Sequence, residues 1–186
     1  MPAGGDPPGI PGRDAAALNL PGPVPVPVVF GVNVLVLAVA AGESPFRGWP
    51  PPPTSGNPGA ECLGVINDAA EFALWLSPHV LASTGRVLAA VLTTPDDEVD
   101  EYLQVLAEMA GASGGGLTDP PQTVSDCPVW EDNRILDLAA AVGAFLIVSA
   151  DADLTSMSPW RGRPVVEPPQ FASLVDASPR ARRRQR

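Results

Sequence analysis

The chain has 186 residues, 24 of them proline, with two cysteines, no lysine and a formal net charge of −10. That charge excludes a broad nucleic-acid-binding face, because neutralising phosphates takes a basic patch. Cys62 and Cys127 lie far apart with no C-x-x-C spacing, which excludes a disulfide framework and a zinc ribbon; the length fits one domain with tails.

The prolines cluster in the first 27 residues and between Pro45 and Pro58, among Gly and Ser. Residues 1–26 therefore read as a disordered leader and 43–60 as a long loop within a domain spanning 27–176. Phe46, Arg47 and Trp49 in that loop suit either packing of Trp49 on the body or stacking on bases. The run from Val24 to Gly42 is uncharged, yet Pro25, Pro27 and Asn33 interrupt it, so it reads as a strand entering a helix and no membrane span is expected. Asp6, Arg13 and Asp14 roughly cancel, unlike the basic start of a signal peptide. With two reduced cysteines, the chain reads as cytoplasmic.

Val28 to Val32 has the consecutive apolar character of a central parallel strand, Gly31 to Asn33 form the turn after it, and Val34 to Ala41 a short helix. A helix follows from Glu61 to Phe72, a strand from Ala73 to Ser77, and a helix opened by Pro78 with Val80, Leu81, Val87, Leu88 and Val91 as its apolar stripe. Asp96 to Ala110 is a helix with an acidic first turn. Gly111 to Gly116 follows a helix rather than a strand, so it is a connector and not a phosphate-cradling loop, which removes the usual nucleotide-binding motif. A weak strand is expected near Thr123 and Val124.

The densest chemistry lies between Ser125 and Trp160. Glu131, Asp132 and Asn133 open a helix that Gly143 closes, and Phe145 to Val148 reads as an apolar strand with Ser149, Asp151 and Asp153 just beyond it. Pro164 to Val166 makes a last strand and Phe171 to Val175 a closing helix. Strands alternating with helices imply a parallel α/β sheet, whose ligands bind outside the carboxyl ends of the strands. Asp151 and Asp153 stand there, as acids of an active site or as caps of the turn; Asp132 is a ligand or a helix-terminal acid favoured by the dipole. Ser83 has neither a convincing base nor an oxyanion motif near it, so no serine nucleophile is expected. The Arg-rich tail, 177–186, holds five of the eleven arginines and is either a solvated tail or a tether for RNA or another polyanion.

Laid out this way, the chain resembles the PIN-domain family, in its branch of VapC-like toxin nucleases. The resemblance rests on P-V-V-F-G-V-N-V-L-V at 27–36, L-W-L-S-P-H-V-L-A-S-T at 74–84, and above all E-D-N-R-I-L-D-L-A-A-A-V-G-A-F-L-I-V-S-A-D-A-D-L at 131–154. It implies a three-layer α/β/α sandwich with a central parallel sheet, and metal-dependent cleavage of RNA by about four carboxylates. Mg²⁺ or Mn²⁺ takes hard oxygen ligands, polarises the scissile phosphate and makes a hydroxide available near neutral pH.

Carried across, the family's first acid falls on Gly31 and its second near Ser83, two degenerate positions without a carboxylate. The third falls on Asp132, with Glu131 and Asp126 as secondary acids, and the last on Asp151, with Asp153 as a further metal ligand. Asn33 would position water or phosphate, and His79, one turn before Ser83, either faces the same cleft or is an ordinary surface residue. The resemblance also implies an antitoxin or other protein partner and a homodimer. A nuclease using Asp132 and Asp151, and an inactive PIN fold kept as an RNA- or protein-binding module, are both open at this point.

Overall fold

The computed structural model describes residues 24–40 and 56–176. Most of the expected leader and proline-rich loop, with Phe46, Arg47 and Trp49, and the tail at 177–186 lie outside the described residues.

Among the described residues five strands form one all-parallel sheet: β1 (Val26–Phe30), β2 (Phe72–Leu76), β3 (Gly116–Leu117), β4 (Leu146–Val148) and β5 (Val165–Val166), in the order β3-β2-β1-β4-β5. Successive side chains of a strand face opposite sides of a sheet. Val28, Val29 and Phe30 are nevertheless all fully buried, so both faces of the central strand are covered, as expected for a parallel α/β sheet. Pro27 donates nothing to the ladder, but its carbonyl accepts the Phe145 N–H just before β4 begins.

The helices are α1 (Val32–Ala40), α2 (Pro58–Asp68), α3 (Pro78–Val91), α4 (Asp96–Ala112), α5 (Trp130–Ala141), α6 (Ala152–Thr155) and α7 (Pro168–Asp176). Their ends follow local chemistry. The Ser77 hydroxyl accepts the Val80 N–H ahead of Pro78, and Gly143 (φ +61°) takes the left-handed conformation just past α5. Phe171 of α7 sits edge-on to Phe30 and tilted against Phe72, with ring centroids 5.4 and 5.0 Å apart. Truncating such a buried ring to Ala typically costs about 3–5 kcal/mol.

Three expectations need correction. First, α2 begins inside the expected loop, because Asn57 accepts the N–H groups of Gly59 and Ala60 (3.0 and 3.1 Å) and Pro58 suits the first helical position; Phe72 belongs to β2 and not to this helix. Second, β1 ends at Phe30, and α1 starts at Val32 rather than at Val34. Third, no strand forms at Thr123 and Val124, whose N–H groups go to the Asp137 carboxylate at 2.9 and 2.8 Å. The third strand is Gly116–Leu117, beginning on the last residue of what reads as a connector. A Cβ on Gly115 would lie 1.9 Å from the Leu74 carbonyl oxygen, so the glycine is what lets the chain close onto β2.

The order has one functional consequence. The chain steps outward from β1 through β2 to β3, then returns through α5 to β4 on the other side of β1. The carboxyl ends of β1 and β4 therefore flank a topological switch point, the usual ligand crevice of such sheets.

Candidate metal centre

The crevice is built first from backbone. Gly31 follows β1 and donates its N–H to the Val148 carbonyl at 2.8 Å, which places it beside Ser149 at the end of β4. Asn33, in the first turn of α1, closes the gap: its Oδ1 accepts the Ala150 N–H (3.2 Å) and its Nδ2 donates to Ser149 Oγ (3.4 Å). The same hydroxyl accepts the Asp151 N–H at 3.0 Å. Asp151 in turn caps α6, its Oδ1 accepting the Asp153 N–H at 2.8 Å.

α5 supplies the third acid. Its first turn carries Glu131 and Asp132, favourable to the dipole, and Asn133 fixes the entry by accepting the Cys127 N–H and donating to the carbonyls of Cys127 and Val129. One oxygen from each of Asp132, Asp151 and Asp153 lies within 4.8 Å of the others. Asp132 is buried, Asp151 half-buried and Asp153 exposed. Burial pushes the Asp132 carboxyl up to about 6, and Asp151, then Asp153 and Glu131, push the same way; only the Cys127 thiol, donating at 3.6 Å, opposes them.

Three hard oxygen donors suit a divalent cation. Oxygens on opposite sides of Mg²⁺, at 2.0–2.1 Å each, are about 4.1 Å apart. The cluster is within an ångström of that span, a distance that side-chain rotation covers.

The other acids singled out in the sequence are engaged elsewhere. Asp126 Oδ2 accepts the Trp160 indole N–H (2.9 Å) and pairs with Arg161 (2.9 Å). Glu131 pairs through Oε2 with His79 (2.5 Å) and through Oε1 with Arg86 (3.0 Å). Although burial works in the opposite direction, these two partners hold the Glu131 carboxyl below its ordinary value. His79 thus meets Glu131 and, at 3.4 Å, the Ser83 hydroxyl; it is not part of the three-acid cluster. Ser83 also accepts from Arg86 at 3.1 Å, so a hydroxyl and an arginine stand where the resemblance led us to expect an acid. At Gly31, a Cβ would lie 3.2 Å from both Asn33 Oδ1 and Ser149 Oγ, so the polar bridge across the strand ends fills the space a side chain would take.

Sequence reading missed Ser149 as the hydroxyl that ties Asp151 to Asn33, and missed Arg86. Ser149 follows an apolar strand directly, a position that could have suggested it; Arg86 stands three residues after Ser83 on one helix face, a weaker hint. Among the described residues no helix is long and apolar enough to cross a membrane. No protein-family model matches the chain, and no curated protein matches it.

Proposed function

We propose that this chain is a PIN-like, divalent-metal-dependent endoribonuclease of the toxin type, slow because its acidic site is incomplete. One observation carries the reading. At the switch-point edge of a parallel sheet, Asp132, Asp151 and Asp153 converge without a cationic partner among the described residues, whereas Asp126, Glu131 and Asp137 each have one. When bound, Mg²⁺ or Mn²⁺ supplies a Lewis acid for the phosphodiester and a more acidic water.

The chain's own residues divide the remaining work. Asp132 and Asp151 are the principal ligands and Asp153 the third. Ser149 holds the Asp151 amide, and Asn33 ties the Ser149 hydroxyl and the Ala150 N–H to the first turn of α1, so the ligand loop is set before any cation arrives. Asn33 thereby positions the loop, and the second N–H of its Nδ2 is left to orient a water or phosphate. RNA cleavage should appear with Mn²⁺ or Mg²⁺, stop with chelator and be lost in Asp151→Asn. Cleavage that survives Asp151→Asn removes the assignment.

A second reading, an inactive PIN pseudo-nuclease acting as an RNA- or protein-binding module, is favoured by the filled Gly31 position and by Arg86 beside Ser83. Mn²⁺ titrated into the wild type and into a Gly31→Asp, Ser83→Glu double variant separates the two. Binding by the wild type supports the nuclease, and binding by the double variant alone supports the pseudo-nuclease.

A further inference from the structure

The first turn of α5 carries a second constellation beside the carboxylates. Trp130 is the one exposed aromatic side chain among the described residues, with 54% of its surface accessible. Trp160 is the contrast: it is buried, and its indole N–H is spent on Asp126. Trp130 is nevertheless braced, lying edge-on to the His79 ring with centroids 5.2 Å apart and planes at 90°. His79 is held by Glu131, and Glu131 by Arg86. Each hydrogen bond of Arg86 leaves from Nη2, to Ser83 and Glu131. Its Nε and Nη1 therefore have no acceptor among the described residues, and the side chain is 63% exposed. The result is an open aromatic surface and an open guanidinium, the first braced on His79 and the second paired with Glu131, which also holds His79.

We propose that Trp130 and Arg86 form a subsite for one nucleotide of single-stranded RNA at the first turn of α5, with Trp130 stacking on the base and Arg86 pairing with its phosphate. The ligand class rests on the nuclease reading above. A protein of net charge −10 cannot hold a strand through a broad positive field, so affinity has to come from local contacts. Stacking on an aromatic ring supplies such affinity, and it tolerates any base. Both Glu131 oxygens are already paired, which lowers their repulsion of a phosphate near Arg86. Bracing by His79 removes part of the ordering cost of the Trp130 ring.

The test measures binding apart from cleavage. A fluorescein-labelled single-stranded oligouridylate is titrated with the full chain in chelator and read by anisotropy, together with an abasic oligonucleotide of the same length. Trp130→Ala should weaken oligouridylate binding about 5- to 150-fold while Trp130→Phe retains most of it. On the abasic strand Trp130→Ala should equal the wild type. Arg86→Gln should weaken both strands and reduce the salt slope by about one. Unchanged thermal unfolding of Trp130→Ala confirms that the exposed ring is not structural. Equal oligouridylate binding by the wild type and Trp130→Ala, an equal loss on both strands, or no measurable binding by the wild type overturns the subsite. Trp130-dependent binding without Mn²⁺-dependent cleavage would instead leave the subsite standing and remove the nuclease reading.

Discussion

Two buried carboxylates sit on α5, five positions apart in the sequence, and they are treated in opposite ways. Asp137 pairs with the equally buried Arg134 at 2.6 Å and accepts the Thr123 and Val124 N–H groups and the Thr123 hydroxyl. Arg134 also reaches the Pro120 carbonyl, so the pair fastens the segment before α5 onto the helix. Among the described residues Asp132 receives only a thiol, and it faces Asp151 and Asp153. The same helix thus satisfies one buried acid fully and leaves the other among like charges. Burying an acid without a cation is costly, and the arrangement makes physical sense when the compensating charge comes from outside the chain.

The contrast is broken most forcefully at Asp137. Arg134→Met leaves a buried carboxylate without its cation and should destabilise the protein by about 3–5 kcal/mol, measured by urea unfolding. A loss below about 1 kcal/mol would mean that the pair is not the staple described.

Asp132 should respond with the opposite sign. Its folded-state pKa, about 6, lies above its ordinary 3.8, so between those values the folded protein keeps a proton that the unfolded chain has released. The stabilisation is complete below pH 4 and disappears as the pH rises through 6, for a total of about 3 kcal/mol at most. Without metal, unfolding free energy should therefore fall over that window in the wild type, and Asp132→Asn should flatten the fall and be the more stable protein at pH 7. An Asp132→Asn variant less stable than the wild type at pH 7 would count against the account.

Adding Mn²⁺ sharpens the same comparison. At a hundred times its dissociation constant, a cation bound only by the folded state stabilises by about 2.7 kcal/mol. The thermal midpoint of the wild type should rise accordingly, and Asp132→Asn should lose the rise. Arg134→Met should keep it at any temperature where it is folded. The smallest effect belongs to the exposed Arg86–Glu131 pair, where Arg86→Gln should change stability by about 1 kcal/mol or less.

How much of this was legible in the sequence differs between the two acids. The apolar runs at Val28 to Phe30 and Leu146 to Val148, the helix starts at Pro78 and Asp96, and the acids beyond β4 are local signals, and they were readable as such. β3 was not, because it exists through a close approach of Gly115 to Leu74, far away in sequence. The roles of Asp126 and Glu131 were hidden for the same reason: their cations, Arg161 and Arg86, come from other elements. Arg134 and Asp137 stand at a helical i, i+3 spacing, yet nothing local marks that pair as buried.

The central claim is that Asp132, Asp151 and Asp153 form one cation site. Calorimetric titration of Mn²⁺ into the metal-free protein at pH 6, for the wild type and Asp151→Asn, tests it most directly. Saturable one-to-one binding is expected for the wild type, with proton release as Asp132 ionises, and loss of both in the variant. Identical heats from the two proteins would contradict it.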